Sequence, residues 1–361
     1  MQAVNRLREL DFLRGVAIIL VMVHHIEIVH FLQVMGWIGV DLFFVLSGFL
    51  VSGLLFKEYK KFGSINAKLF LIRRGFKIYP IFYLSYIIYI VPRILMHKPN
   101  LGYAFYDLFF IQNYALGWGY AYAASWSLAV EEHFYFALAL LLWLIFNKKI
   151  MKFEITGKFS NFEKYLIGTL VFVLILRFVA NVEYPDEAVK NTTMSHLRVD
   201  SLLFGVLISY WYHFKQEKLV AFYQKYKAVL LVLAFAMLSF TPFIERLTSF
   251  FVKTIGFTMI YISFGILLIH FLVDKNVNTQ INRLFSTFVV NFVSKIGFCS
   301  YSIYIIHSFV NNWIGVLQIQ NRILVFVLAF TISIAGGFFM TYVIEKFFLN
   351  YRDKYYPNRT L

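Results

Sequence analysis

An arginine and a histidine in the first apolar segment are the residues of this chain best suited to chemistry. The segment RELDFLRGVAIILVMVHH carries Asp11, Arg14, His24 and His25 among aliphatic side chains. Eleven residues separate Arg14 from His25, which is close to three helical turns and a rise of about 16 Å, so a helix places both on one face. Asp11 lies close to the same stripe. Ionisable groups inside a bilayer are costly and are candidate functional residues. The alternative is that Arg14 extends to the headgroups and His25 only packs.

The composition defines the class of protein. Of 361 residues, 60% are hydrophobic and 20% aromatic, whereas soluble domains are about 45–50% apolar. The net charge is +15, but the basic residues fall between apolar segments, which favours the positive-inside rule over nucleic-acid binding. A single cysteine excludes an internal disulfide and a cysteine-based metal site. No spacing of histidines and carboxylates matches a zinc motif, so we predict no metal.

The apolar segments predict a polytopic all-α bundle with about ten transmembrane helices, at about 20 residues a span. The predicted spans are 10–31, 37–56, 78–96, 127–147, 164–182, 197–213, 227–243, 252–272, 297–316 and 322–343. Lysine and arginine are concentrated in alternate loops, so we predict that both termini are cytoplasmic. The basic residues then predicted outside are Lys98, Lys190, Arg246, Lys253 and Arg322. We expect one membrane domain over residues 1–361, an uncleaved first span and no separate soluble domain.

Two further segments carry polar residues near the membrane. In GWIGVDLFFVLSGFLVSG, small residues including Ser47 allow close helix packing, while Asp41 could pair with a base or face water. The segment LIRRGFKIYP places Arg73, Arg74 and Lys77 within about one helical turn. This cluster could anchor a span or bind lipid headgroups. It could equally hold the phosphates of a soluble cofactor, because arginine side chains match phosphate oxygens.

Charged residues also lie at the start of two later spans. SWSLAVEEHFYF brings Glu131 and Glu132 to the entrance of span four, where a carboxylate should be paired. Arg198 and Asp200 lie at the start of span six. Because they are two residues apart, they point to different faces of a helix, and we expect each to find a partner on another span. GFCSYSIYIIHS places His307 on span nine.

Taken together, these segments resemble the acyltransferase-3 family of integral membrane O-acyltransferases. The resemblance covers nearly the whole chain and rests on seven segments in the family's order. They are Arg14 with ten residues before His25, GVDLFFVLSGFL, RRGFKIYP, SWSLAVEEHFYF, LRVDSLLFG, GFCSYSIYIIH and IEKFF. The chain departs from the family at Lys77, where a second arginine is more usual, and this weakens the expectation of bidentate phosphate contact there.

The resemblance implies transfer of an acyl group, usually acetyl, from acyl-CoA to a saccharide hydroxyl. Arg14 and His25 match the family's catalytic pair, and the segment beginning at Trp126 supplies Glu131 or Glu132, with Glu132 better spaced for the following Phe-Tyr. An imidazole suits removal of a hydroxyl proton, and Glu132 could hold its tautomer. A covalent acyl-histidine remains open.

The remaining implications concern ligands and location. Acyl-CoA would be a co-substrate, with no permanently bound cofactor, and its phosphates would bind near Arg14, Arg73, Arg74 and Lys77. The other partners would be a carbohydrate acceptor and membrane lipids, and the location a bacterial inner membrane. The further pocket candidates are Asp11, Asp41, Ser47, Trp126, Glu131, Arg198, Asp200 and His307.

Two other classes of protein stay open at this point. A secondary transporter would also have charged residues within about ten spans, although the sequence shows no inverted repeat and no matching pair of broken helices. A membrane scaffold or receptor would use the polar residues only to pack helices, and would tolerate replacement of Arg14, His25 and Glu132.

Overall fold

The protein is described by a computed structural model over residues 7–26, 29–96, 100–150 and 160–360. It is 83% helical. This is expected in a membrane, because backbone N–H and C=O groups in hydrocarbon can form hydrogen bonds only with each other. The described α-helices are α1 (Arg8–His24), α2 (His30–Met35), α3 (Gly39–Phe62), α4 (Ala67–Met96), α5 (Leu101–Leu108), α6 (Gln112–Ala115), α7 (Trp126–Phe146), α8 (Asn161–Glu183), α9 (Ala188–Thr193), α10 (Ser195–Phe214), α11 (Gln216–Leu238), α12 (Phe257–Val273), α13 (Val277–Phe285), α14 (Thr287–Phe298), α15 (Ser300–Val316), α16 (Arg322–Phe339) and α17 (Lys346–Tyr355).

Seven helical segments in the described ranges are long and apolar enough to cross a membrane, or eight if α14 and α15, bent by 81°, form one broken span. The seven are His30–Phe62, Ala67–Pro92, Ala123–Phe146, Asn161–Glu183, Gln216–Leu238, Val252–Val273 and Arg322–Tyr355. The predicted all-α membrane bundle is therefore confirmed. The helices α1 and α10 coincide with two further predicted spans but are outside this set, so the number ten stays a prediction, as does the orientation.

Helices α3 and α10 are in close backbone contact at the centre of the bundle. A Cβ built at Gly48 would lie 1.9 Å from the backbone oxygen of Leu202, and one at Gly205 would lie 2.2 Å from that of Val45. Only glycine fits at such a distance, which is the means by which membrane helices approach closely. The expectation that small residues of this segment allow close helix packing is confirmed at Gly48.

Two buried ion pairs fasten α10 to its neighbours. Arg198 Nη2 lies 2.7 Å from Asp41 Oδ1 of α3, and Arg177 Nη2 of α8 lies 2.8 Å from Asp200 Oδ2. All four side chains are at most 2% exposed. The expectation that Arg198 and Asp200 find partners on other spans is confirmed, and it follows from the divergence of positions two residues apart on a helix.

The C-terminal segment folds back onto the basic half of α4. Arg73 donates to Asp353 Oδ1 at 2.9 Å and to the backbone oxygen of Tyr356. Lys77 pairs with Glu345. These contacts bring cations of the tail beside those of α4, where they form part of the site described next.

Candidate functional site

The centre of the bundle contains a cavity of about 140 Å³ with charged walls. We call it the central cavity. Its polar and charged lining includes Arg14, Ser47, Arg74, Lys77, Ser127, Glu131, Tyr135 and Tyr304. Helices α1, α3, α4, α7 and α15 each supply part of this wall, so residues distant in sequence meet here. Arg14, Ser47, Arg74, Lys77 and Glu131 were all predicted as site residues, and the structure brings these five together.

A second cavity, of about 310 Å³, opens beside the C-terminal segment. We call it the basic groove. Its charged lining is Glu58, Arg73, Arg74, Lys77, Arg352 and Arg359. Arg359 pairs with Glu58 at 2.6 Å, whereas Arg74 stacks its guanidinium 5.2 Å from the ring centre of Tyr135. Arg74 and Lys77 line this groove and the central cavity alike, so the two spaces adjoin.

A third cavity, of about 240 Å³, lies at the other end of α1. We call it the histidine cavity. Its lining is Val21, His24, His25, Trp37, Val40, Trp118, Ala123, Ala124, Trp126, Arg246 and Tyr304. Val40 and Tyr304 line it and the central cavity. Arg14 and His25 therefore line two separate cavities, which adjoin at these two side chains.

The end of α1 fixes the tautomer of His25. The helix stops at His24, and the backbone N–H of His25 bonds to Met22 O at 3.2 Å. The last carbonyls of a helix have no helical partner, and His25 Nδ1 donates to one of them, Val21 O, at 2.8 Å. Because Nδ1 carries the proton, Nε2 is the nitrogen with the available lone pair.

This contact replaces the one expected from Glu132. Glu132 accepts a hydrogen bond from Tyr79 of α4 at 2.8 Å, and its other oxygen has no partner among the described residues. The neighbouring Glu131 instead lines the central cavity and accepts from Tyr135 at 2.8 Å. Adjacent residues on a helix diverge by about 100°, so only one of the two can face that cavity. The structure places Glu131 there.

His307 packs directly against His25. The two ring centres are 5.0 Å apart at an interplanar angle of 67°. His307 is 1% exposed, and its Nδ1 donates to Tyr304 O at 2.6 Å. It therefore supports the ring of His25 from the protein interior, and it is not among the residues that line the histidine cavity.

The remaining predicted residues divide between site and scaffold. Trp126 lines the histidine cavity. Asp41, Arg198 and Asp200 belong to the buried ion pairs. Asp11 lies where α1 crosses α14, since a Cβ at Gly297 would lie 1.8 Å from the backbone oxygen of Asp11.

Several residues of the site escaped the sequence analysis. They are Trp37, Trp118, Tyr135, Arg246, Tyr304, Arg352 and Arg359. One feature of the sequence could have drawn attention to Arg246: it is among the few basic residues that the loop charges place outside the membrane. Tyr135 and Tyr304 lie in segments that carry the family resemblance, but their residue type did not single them out in a chain with 43 phenylalanines and 24 tyrosines. Among the described residues, no group of three or more histidine, cysteine or carboxylate side chains could hold a metal ion.

Comparison with known proteins agrees with this architecture. The model of the acyltransferase domain family, the acyltransferase-3 family, matches residues 7–342. The chain belongs to this family. No solved structure matches it.

Two curated relatives are similar over nearly the whole chain. A Staphylococcus aureus (strain MRSA252) protein named "Putative O-acetyltransferase" is 28% identical, and the match covers 96% of this chain and 59% of the relative. The peptidoglycan O-acetyltransferase OatA of Listeria monocytogenes is 25% identical, over 96% of this chain and 58% of the relative. The chain thus spans less than two thirds of the length of these relatives.

Proposed function

We propose that this protein is a membrane O-acyltransferase that moves an acyl group, in the simplest case acetyl, from acyl-CoA to a hydroxyl of a cell-envelope carbohydrate. The observation that carries the proposal is the succession of three adjoining cavities. They lead from the basic groove through the central cavity to His25 and share lining residues at each junction. Family membership and the names of the two relatives support O-acyl transfer as the type of reaction.

The basic groove suits the phosphates of the donor. It gathers five cations from α4 and the C-terminal segment: Arg73, Arg74, Lys77, Arg352 and Arg359. Arginine side chains match phosphate oxygens in a bidentate manner. Arg73 and Lys77 are paired with Asp353 and Glu345, so donor phosphates would exchange with these carboxylates.

The thioester end of the donor would extend through the central cavity towards Tyr304. Arg14 lines this passage and offers hydrogen-bond donors to the polar atoms of the donor that lie in it. Because Arg14 lies about 16 Å along α1 from His25, its proposed role is to bind the donor.

The chemistry requires one base and no metal. Nε2 of His25 takes the proton of the acceptor hydroxyl while its oxygen attacks the thioester carbon. The C–S bond then breaks, the CoA thiolate leaves, and the proton on Nε2 returns to the sulfur. Val21 O holds Nδ1–H throughout, which keeps the reactive nitrogen facing away from the helix end.

The experiment that tests this proposal compares glycan acetylation in cells that carry variants of the gene. His25→Ala should abolish the acetate that mild alkali releases from the cell envelope, because it removes the proposed base. His196→Ala is the matched control, since His196 is exposed and contacts Tyr114 outside the three cavities. Unchanged acetylation in the His25→Ala cells, at equal membrane expression, would refute the proposal.

The donor end is tested by acyl-CoA binding to the purified protein in detergent. Arg74→Gln should weaken binding by about tenfold, the effect of one lost charge-assisted hydrogen bond. Lys68→Gln removes the same charge from an exposed position of α4 that lies outside the basic groove, and it should bind as the unaltered protein does. Equal affinities of the two variants for acyl-CoA would show that the basic groove is not the donor site.

A further inference from the structure

Three indole rings and one guanidinium in the histidine cavity are not used by the transfer step. Trp37, Trp118, Trp126 and Arg246 line the cavity beside His25. Trp118 and Trp126 meet edge to face, with ring centres 6.2 Å apart at 69°. The guanidinium carbon of Arg246 lies 5.7 Å from the ring centre of Trp37 and 5.5 Å from that of Trp118. The cation therefore lies between two indole faces.

Two polar groups of this wall, on Trp37 and Arg246, have no hydrogen-bond partner among the described residues. Trp37 is 3% exposed, and its Nε1–H has no acceptor among the described residues. Buried donors are nearly always satisfied, so a donor on a cavity wall without a protein partner is available to a ligand or a water molecule. The guanidinium of Arg246 carries five N–H donors, and in the described ranges it lies against the two indole rings.

The carboxylates nearest to Arg246 are engaged elsewhere. Asp41 pairs with Arg198 at 2.7 Å. Glu245 is exposed and accepts the backbone N–H of Leu247 at 3.3 Å. The histidine cavity therefore has a cation whose charge the surrounding side chains do not pair, and it favours a negatively charged ligand.

We propose that the histidine cavity is the acceptor site and that it selects an anionic saccharide. This inference rests on the proposed function for the role of His25. Arg246 pairs with a carboxylate or phosphate group of the acceptor. The indoles of Trp118 and Trp126 pack against the C–H face of the sugar ring, and Trp37 Nε1–H donates to one of its oxygens. The hydroxyl to be acylated then lies towards Nε2 of His25.

The selectivity for an anionic saccharide follows because a neutral sugar would leave the charge of Arg246 unpaired. An uncharged ring could pack on the same indoles, but Arg246 would keep no counter-charge in a confined space. Discrimination by an unpaired buried group is stronger than discrimination by shape. Arg246 is therefore a specificity residue, distinct from the base that performs the transfer.

The test measures binding to the purified full chain in detergent, without acyl donor. Quenching of tryptophan fluorescence reports the binding. The probes are glucuronic acid, glucose 1-phosphate and glucose. At least one anionic probe should bind about tenfold more tightly than glucose, as one charge-assisted contact predicts. Preference for the carboxylate or for the phosphate identifies the anionic group. Equal affinity for all three probes, or no saturable quenching by any, would overturn the proposal.

The variants assign the preference to Arg246. Arg246→Gln should bind all three probes as weakly as the unaltered protein binds glucose. Lys190→Gln is the matched control, because Lys190 pairs with Glu187 at 3.1 Å outside the cavity, and it should keep the full preference. If Arg246→Gln also loses glucose binding, Arg246→Lys is measured instead. A reduced preference of Arg246→Lys for the anionic probe over glucose supports the proposed site, and equal affinity for the two probes overturns it.

These results are separable from the proposed function. Binding without donor does not depend on transfer, so loss of the anionic preference overturns the acceptor site even where acetylation in cells depends on His25. Conversely, if the cell envelope carries no acetyl groups, the proposed function fails but the measured binding of anionic saccharides is unaffected.

Discussion

At the scale of single residues, hydrogen bonds to the backbone and to neighbouring side chains orient the reactive groups. His25 is held by the carbonyl of Val21, which is available because α1 ends one residue earlier. In the central cavity, the hydroxyl of Ser47 donates to Tyr135, 2.7 Å away, and Tyr135 donates to Glu131. This chain of hydrogen bonds holds the Glu131 carboxylate in a fixed position.

Tyr135→Phe should therefore lower the stability of the protein. Removal of the hydroxyl leaves Glu131 without this donor in a confined polar space, and an unsatisfied buried group costs about 1–3 kcal/mol. The measurement is the midpoint of thermal unfolding in detergent. Tyr83→Phe is the control, because Tyr83 is 38% exposed and its hydroxyl donates to a backbone oxygen, that of Leu108, at 3.1 Å. A midpoint for Tyr135→Phe as high as that of the control would contradict the prediction.

At the scale of elements, the position of the site depends on how closely the helices approach. Helix α3 contacts α1, α7 and α10, and it carries Ser47 and Val40 on the cavity walls. Gly48 allows α10 to lie against α3 immediately beside Ser47. A bulkier residue would move the helix that lines all three cavities.

We expect Gly48→Ala to destabilise the bundle by about 1–3 kcal/mol, as overpacking of a close contact does. Gly168 on α8 offers the opposite case, because a Cβ there would meet no atom within 4 Å. Gly168→Ala should be neutral or stabilising, since alanine has the higher helix propensity. Thermal unfolding and gel filtration in detergent compare the two. Equal losses would show that the α3–α10 contact is not tight.

At the scale of the whole molecule, charge is arranged along the bundle. The basic groove lies beside the C-terminal segment, whereas Arg246 and the histidine cavity lie at the other end of α1. The positive-inside rule would put the groove in the cytoplasm, where acyl-CoA is made, and His25 towards the outside. The cavities would then connect the donor on one side with the acceptor on the other.

This orientation can be tested by labelling single cysteines. Cys299 is 1% exposed, and Cys299→Ser removes the only native thiol. In that background, Arg322→Cys should react with a membrane-impermeant maleimide in intact cells. Lys354→Cys, on the exposed surface of α17, should react only after the membrane is opened. The reverse pattern would invert the bundle and separate the groove from cytoplasmic acyl-CoA.

The sequence by itself determined the class of fold, the family and several of the polar residues that meet in the cavities. These features depend on local properties: apolar length, the helical repeat and loop charge. Arg14 and His25 could be assigned to one face of α1 for the same reason. The partners of Arg198 and Asp200 could be expected on other spans, but not identified.

Only the tertiary structure decided which of these residues share a space. The end of α1 at His24 gave the orienting role to Val21, and the rotation of α7 placed Glu131 in the central cavity and Glu132 against Tyr79. Arg246, Arg352 and Arg359 join the site through contacts between segments far apart in sequence. Such contacts depend on helix rotation and loop placement, which apolar patterns in a membrane specify weakly because lipid and protein interior are equally apolar.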